Sequence, residues 1–495
     1  MRYLLSAIAC LPIAVAAMPT ALQAQIVPTS PSPTSVKTGG GVCASQLPDL
    51  ISRTIDRPQF GRVYWGIDIR ERYTGVQLYA RNHNRFFVPA SNVKLFTTAA
   101  ALRKLGANTR LRTSIYLREN PAGSPSLIVV GRGDPTLAER QLNELVEQIV
   151  RRGIVRFDRL IVDDGYFQGS LQHPDWEWGD LVNDYAPPIG SIVWRQNATR
   201  LYVLPQGPGR PVLYRWQDPI AGSFWGVQNG AITDVVGSND SVGIAAILGK
   251  SQLQILGRLP ANSRGTSFDV AIVDPSQTFA RHLQAALARR RVTINSLATN
   301  GNESLANLPE IATIESPTIL ELVNETNLNS NNLFAEILLR TLGKTQSINA
   351  EKNTAELGLQ IVTQNAVSLG LSANDFRLSD GSGLSRQNLA SPSALVRLLT
   401  AMAESSEGNN YRNSLPISGV SGTLSNRFKN TTAVGRIRAK TGTLNSTVSL
   451  SGYAEPINYN PLVFSIIVNH SDRPTIELRQ AIDELAATLI TIRRC

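Results

Sequence analysis

The sequence predicts an α+β protein carrying a separate β-rich subdomain, and three observations predict it. Stretches that alternate apolar and polar residues fall near both ends of the chain, at residues 63–70 and 75–80 and again at 447–454, the last beside an apolar stretch at 462–469. An unusually apolar helical stretch follows the first pair, at residues 91–106. From residue 189 to 264 the pattern changes to short strands punctuated by Gly and Pro. With 495 residues, 42% hydrophobic and 17% charged, the chain can bury a large core and holds two or three domains.

Residues 1–24 read as an export signal: Arg2, a mostly apolar run over residues 4–17, and small residues that permit cleavage after Ala24. Pro12 breaks that run, which is too short for a comfortable membrane span. Cys10 lies inside it, too early for a lipid-attachment site. Residues 25–42 are rich in Pro, Ser, Thr and Gly and form a linker. Removing the signal leaves Cys43 and Cys495, one at each end of the folded body, in a compartment that permits disulfides. They are either bridged or two separate thiols.

A hairpin over residues 63–80 feeds the apolar helix (Val93, Leu95, Phe96, Ala99, Ala100, Leu102, Leu105), which ends near Gly106. Ser91 stands at its N-terminal tip and Lys94 three residues on, so the two side chains share a helical face. A serine hydroxyl is a weak nucleophile and needs a neutral amine or imidazole within hydrogen-bond reach. Lys94 can be that amine if burial or a neighbouring cation lowers its pKa. Standing alone, Ser-x-x-Lys is more often a capping serine and a solvated lysine.

Next come a strand at residues 127–130, a turn at 131–135, a helix over 137–152 and a strand at 159–162, together a small α/β unit. The β-rich region has strands at 201–204, 211–216 and 241–248. Helical periodicity returns at 275–290, 316–326 and 332–342, and between the last two lies the polar turn Ser330-Asn331-Asn332. It reads either as an N-cap cluster or as a hydroxyl and an amide presented on a loop, able to shuttle a proton and hold a substrate carbonyl. A strand over 435–440 leads into Thr441-Gly442-Thr443. There Lys440 and Thr441 can bind a carboxylate, and Gly442 leaves room for a substrate backbone. An amphipathic helix over 475–493 closes the chain and is expected to pack on the sheet.

Ser-x-x-Lys, Ser-x-Asn and Lys-Thr-Gly occur in this order, each in its expected context, and together they resemble the penicillin-interacting serine enzymes. Ser-x-Asn recurs at Ser347 and Ser372, and its place between two helices selects Ser330. The long interval from Lys94 to Ser330 is similar to that of the low-molecular-mass class C penicillin-binding proteins, the D-alanyl-D-alanine carboxypeptidase/endopeptidase family. Gly133-Asp134-Pro135-Thr136-Leu137, Asp380-Gly381-Ser382-Gly383-Leu384-Ser385-Arg386 and Gly422-Thr423-Leu424 carry the same resemblance.

The resemblance implies a serine β-lactamase/penicillin-binding transpeptidase fold, an antiparallel sheet flanked by helices. Residues 43–106 and 307–495 would form it, with an inserted α/β domain at 107–188 and 265–306 and a nested β-rich subdomain at 189–264. It also implies an acyl-enzyme on Ser91, with Lys94 as base, Ser330 as proton relay and the backbone amides of Ser91 and Thr443 as oxyanion hole. Asn332 would orient the substrate, while Lys440, Thr441 and Gly442 hold its terminal carboxylate. The implied substrates are peptidoglycan stem peptides and crosslinks, and β-lactam antibiotics are the implied covalent inhibitors. Asp163, Asp164, Phe167 and Arg386 are the nearest matches to residues that read a diaminopimelate side chain; each also reads as an ordinary strand-end or surface residue. In that fold the first and last helices lie side by side, which favours a Cys43–Cys495 bridge.

No cofactor is implied. The four histidines, His83, His173, His282 and His470, are scattered and no metal-binding motif accompanies them, so no catalytic metal is expected. Gly343-Lys344-Thr345 resembles the end of a phosphate loop, but Leu338 stands where its first glycine belongs. The net charge of +10 suits polyanionic surroundings, yet no aromatic-basic module points to nucleic acid. Peripheral association with the cell wall or a membrane surface stays open, and the pattern sets no oligomeric state. Two other classes compete: a β-lactamase-like hydrolase, marked by fast release of the acyl group, and a non-catalytic peptidoglycan-binding or β-lactam-sensing protein, which would have no use for Lys94.

Overall fold

The computed structural model describes residues 41–300, 303–346 and 353–495. The expected export signal, the expected linker up to residue 40 and the Ser-x-Asn at Ser347 lie outside the described residues.

Five strands form the central sheet in the order Ile437–Leu444, Thr447–Ala454, Leu462–Asn469, Tyr64–Glu71 and Gln77–Arg81, each antiparallel to its neighbours. The sheet is therefore complete only when the two ends of the chain meet. Its register sends alternate residues to opposite faces. Val448, Leu450, Phe464, Ile466 and Val468 on one face are buried with the first helix, Leu47–Ile55, and the last, Thr475–Ile490. The other face receives the helices Lys94–Leu105, Ile319–Leu328, Asn332–Lys344, Thr354–Ser368 and Pro392–Glu404, which share a core with Tyr453, Val463 and Ile467.

The last helix packs on the sheet through Leu478, Ile482, Leu485 and Leu489. It stops at Ile490, short of the expected residue 493, because Ile492–Arg493 leaves it to pair in parallel with Val42–Cys43. Beside that pairing a disulfide joins Cys43 to Cys495, with Cα atoms 5.6 Å apart. Among the described residues no helix is long and apolar enough to cross a membrane.

After Leu105 the chain builds a second five-stranded sheet, ordered Thr293–Asn300, Arg156–Asp163, Ser126–Gly131, Arg110–Arg118, Glu310–Thr318. The first three run parallel, joined through crossover helices Glu139–Val150 and Pro275–Arg289, and the last two are antiparallel. Leu142, Leu145, Phe279 and Leu283 of those helices pack on Val129, Leu160 and Val162. Where the periodicity predicted a helix from residue 316, Glu310–Thr318 is a strand. The helix starts at Ile319 because the Thr318 hydroxyl accepts from the Glu321 amide in a capping box.

Two three-stranded sheets and one two-stranded sheet enclose Leu201, Val203, Leu253, Ile255, Leu259 and Val270 in the β-rich region. Thr266–Ala271 pairs with Ala198–Leu204, so this region runs past the expected boundary at residue 264. With only Phe268 and Val270 as large apolar positions, that strand is too short to announce itself by alternation.

Candidate active site

Ser91 lies in a 3-10 turn, Ala90–Val93, that runs straight into the helix Lys94–Leu105. Ala90 holds φ at 49°, a left-handed backbone that costs energy for a residue with a Cβ and persists only when its surroundings fix it. They do so closely. A Cβ on Gly442 would collide with Ser449 Oγ and come within 2.8 Å of the Pro89 carbonyl, and one on Gly383, at φ 84°, would collide with the Ala90 carbonyl. Two sheet serines pin the turn: Ser449 Oγ donates to Pro89 O at 2.8 Å, and Asn92 Nδ2 donates to Ser451 Oγ at 2.9 Å. The room left by Gly442, expected to admit a substrate backbone, is thus filled by the nucleophile's own turn.

Lys94 is fully buried, and its Nζ donates to Ser91 Oγ at 3.0 Å, Asn332 Oδ1 at 2.5 Å and the Ser382 carbonyl at 2.6 Å. Burial pushes its pKa down to about 7 against the pull of the Asp380 and Glu336 carboxylates. Of the two ways to lower a lysine pKa left open by the sequence, burial is the one at work. A neutral amine so placed keeps two N–H bonds, to Asn332 and Ser382, and turns its lone pair to the Ser91 hydroxyl.

In Ser330-Asn331-Asn332 the two readings divide between residues. Asn331 caps the helix, its side chain accepting from Phe334 N, and this frees its neighbours. Asn332 accepts from Lys94 through Oδ1 and donates through Nδ2 to Tyr185 O at 2.8 Å. Ser330, itself at φ 59°, accepts from Lys440 Nζ at 2.8 Å. Lys440 is also fully buried and donates to Thr441 O at 2.9 Å; burial first, then the charge on Lys94, hold it well below the ordinary lysine range. Lys440, expected to hold a carboxylate, thus also holds the Ser330 hydroxyl. Thr441 Oγ1 donates to the exposed Thr423 Oγ1 at 2.8 Å, and Thr443 Oγ1 accepts from Arg479 Nη2 at 3.2 Å. Gly422-Thr423-Leu424 stands out in the sequence without a role, and Arg479, on the last helix, gives no signal there at all.

Three of the four candidates for reading a substrate side chain are occupied elsewhere. Asp163 accepts from Gly165 N and Glu303 N, both at 2.8 Å. Partly buried Asp164 accepts from Ser191 N, Ser191 Oγ, Ile192 N and Ser276 Oγ, and its removal from water raises its pKa. The ring of Phe167 is buried against Gly133, where Ile337 also packs. Asp163 and Asp164 tie segments between residues 163 and 303 to one another, and Phe167 packs where the insertion meets Ile337 of the helix Asn332–Lys344. Arg386 does reach the end of the strand Ile437–Leu444, donating through Nη1 to Asn445 O at 3.1 Å and pairing through Nε with Glu177 at 2.5 Å.

The loop that supplies the Ser382 carbonyl is shaped from both sides. Buried Asp380 accepts from Gly383 N and Ser385 N at 2.7 Å, from Asn388 Nδ2 at 2.9 Å and from Trp176 Nε1, in the insertion, at 3.0 Å. His173 hydrogen-bonds Ser379 O at 2.8 Å. Buried Glu336 accepts from Gly381 N at 2.9 Å, and burial with the nearby Asp380 charge pushes its pKa up. No local pattern marks Trp176, His173 or Glu336 in the sequence.

A model of the D-Ala-D-Ala carboxypeptidase 3 (S13) family matches residues 47–489. The D-alanyl-D-alanine carboxypeptidase of Actinomadura sp. (strain R39) is 30% identical over 470 residues, covering 89% of this chain and 84% of that protein. The penicillin-sensitive carboxypeptidase A of Dictyostelium discoideum is 27% identical over 459 residues, covering 86% and 87%. The crystal structure of penicillin binding protein 4 (dacB) from Haemophilus influenzae shares the fold, with a TM-score of 0.78 at 22% identity over 89% of this chain and 98% of that one.

Proposed function

The chain belongs to the D-Ala-D-Ala carboxypeptidase 3 (S13) family, and on that premise we propose that its serine D-Ala-D-Ala carboxypeptidase activity runs through an acyl-enzyme on Ser91. The observation that carries this reading is the contact of a fully buried Lys94, with its pKa near 7, at 3.0 Å from Ser91 Oγ.

Ser91 Oγ attacks the carbonyl of the penultimate D-alanine while its proton passes to Lys94. The oxyanion develops against the backbone N–H groups of Ser91 and Thr443. Asn332, fixed between Lys94 and Tyr185 O, orients the substrate amide. Ser330 relays that proton, giving its own hydroxyl hydrogen to the departing D-alanine amine as it takes the one held by Lys94, and is itself held by Lys440. The terminal carboxylate sits at the hydroxyls of Thr441 and Thr423, with Lys440 behind them; an arriving anion favours the protonated form of that lysine. Once the leaving amine has taken the proton, Lys94 is neutral again and serves as base for the water that releases the acyl group.

Crosslinks with the same acyl group are the further substrates, and β-lactams are carbonyl mimics that acylate Ser91 and leave slowly. Arg386 is the residue we assign to the substrate side chain, and no such role is proposed for Asp163, Asp164 or Phe167. The Cys43–Cys495 disulfide supports export of the enzyme, as does the N-terminal leader pattern. The test is release of D-alanine from a D-Ala-D-Ala pentapeptide by the wild type and by Ser91→Ala. Turnover disappears in a variant that keeps the wild-type melting temperature; undiminished hydrolysis would sink the assignment.

A further inference from the structure

One loop of the insertion borders the active site on one side and a second pocket on the other. Toward the site, Trp176 bonds Asp380, Glu177 pairs with Arg386 and Tyr185 O accepts from Asn332. Away from it, Trp178, Leu181 and Pro188 face Trp225 and Lys250 of the β-rich region across a pocket of about 230 Å³, with Gln172 also on its wall. Trp178 is 40% exposed. The Trp225 indole is fixed by its N–H, which donates to Ala271 O at 3.0 Å.

We propose that this pocket takes an N-acetylated aminosugar of the substrate's glycan strand, an inference that rests on the carboxypeptidase reading above. A pyranose ring has an apolar C–H face and a polar rim. Two indoles with Leu181 and Pro188 suit the face, and Gln172 and Lys250 suit hydroxyls, an acetamido group or an adjoining carboxylate. A free peptide has no such flat, two-faced unit. The reach also fits. Pro188 follows Tyr185 by three residues, at most about 11 Å of chain, while a stem of about four extended residues between sugar and scissile bond spans about 14 Å. The β-rich region touches the Ser330-Asn331-Asn332 motif through Gln196, which accepts from Asn331 Nδ2 at 2.8 Å, and in this arrangement it also supplies the far wall of a glycan site.

The experiment compares kcat/KM for a GlcNAc–MurNAc pentapeptide with that for the identical pentapeptide without sugar. The wild type favours the sugar-bearing substrate by about tenfold, and Trp178→Ala and Trp225→Ala each bring that advantage to within about twofold while the free peptide is cleaved nearly as before. Should Trp225→Ala fail to fold, Trp178→Ala and the quenching of tryptophan fluorescence by N,N′-diacetylchitobiose carry the test. Equal kcat/KM for the two substrates, or an advantage that survives in Trp178→Ala, would overturn the proposal. A wild type that cleaves neither substrate would overturn the carboxypeptidase reading first, and this inference with it.

Discussion

The two faces of the central sheet are made by the same strands and put to opposite uses. On one, Val448, Leu450, Phe464 and Ile466 pack side chain on side chain against the terminal helices. On the other, Gly442, Ser449, Ser451 and Ser465 give up side-chain volume, and the turn Ala90–Val93 settles almost directly on the strands. Both faces are buried, so the alternation does not separate inside from outside. It separates a face that gains stability from apolar area from a face that positions backbone. The nucleophile is placed by how closely two pieces of main chain can approach, and the hydroxyls of Ser449 and Ser451 replace the contacts that larger side chains would have made.

Substitutions on the two faces therefore have opposite signatures. Gly442→Val drives a side chain into Pro89 and Ser449, and kcat/KM falls by about a hundredfold or more, because a displacement of order 1 Å at the nucleophile is enough. Leu450→Ala, on the other face, costs about 2–5 kcal/mol of stability in a denaturant titration while the folded fraction keeps most of its activity. If both variants lost activity and stability in the same proportion, the division between the faces would fail.

Lys94→Met sharpens the comparison within the site. The variant is inactive, yet its melting temperature exceeds that of the wild type by more at pH 6 than at pH 9. A lysine held at about 7 in the fold and at 10.5 when free carries more protons in the unfolded chain between those values. Wild-type stability consequently rises with pH across that window, and the cost of the buried ammonium is greatest below pH 7. A difference in melting temperature independent of pH would contradict the assignment. The smallest effect belongs to Arg386→Ala: its partly exposed pair with Glu177 contributes within about 1 kcal/mol, and the change appears instead as a raised KM for substrates with a diaminopimelate side chain.

Local spacing made Ser91, Lys94 and the motif order legible, since three residues along a helical turn set two side chains side by side whatever the rest of the chain does. The reason Lys94 titrates near 7 was not legible, because the groups that enclose it, Asn332, Ser382 and Glu336, arrive from distant segments. Gly442 shows both sides of this limit: the need for a glycine could be read, but its neighbour, Pro89, lies far earlier in the chain. Asp164 kept two readings because an acid after a strand looks the same in sequence whether it meets a substrate or side chains such as Ser191 and Ser276, from which it accepts. The strand Arg110–Arg118 could have been found from Leu111, Ile115 and Leu117, although the flanking arginines disguise the alternation.

The most direct measurement is the rate of acylation by benzylpenicillin, followed by intact mass from pH 5 to 9 with peptide mapping of the product. One adduct on Ser91, forming at a rate that rises with pH through an apparent pKa near 7, is the result expected of a serine activated by a buried, neutral Lys94. An adduct on another residue, or a rate that does not change across that range, would contradict it.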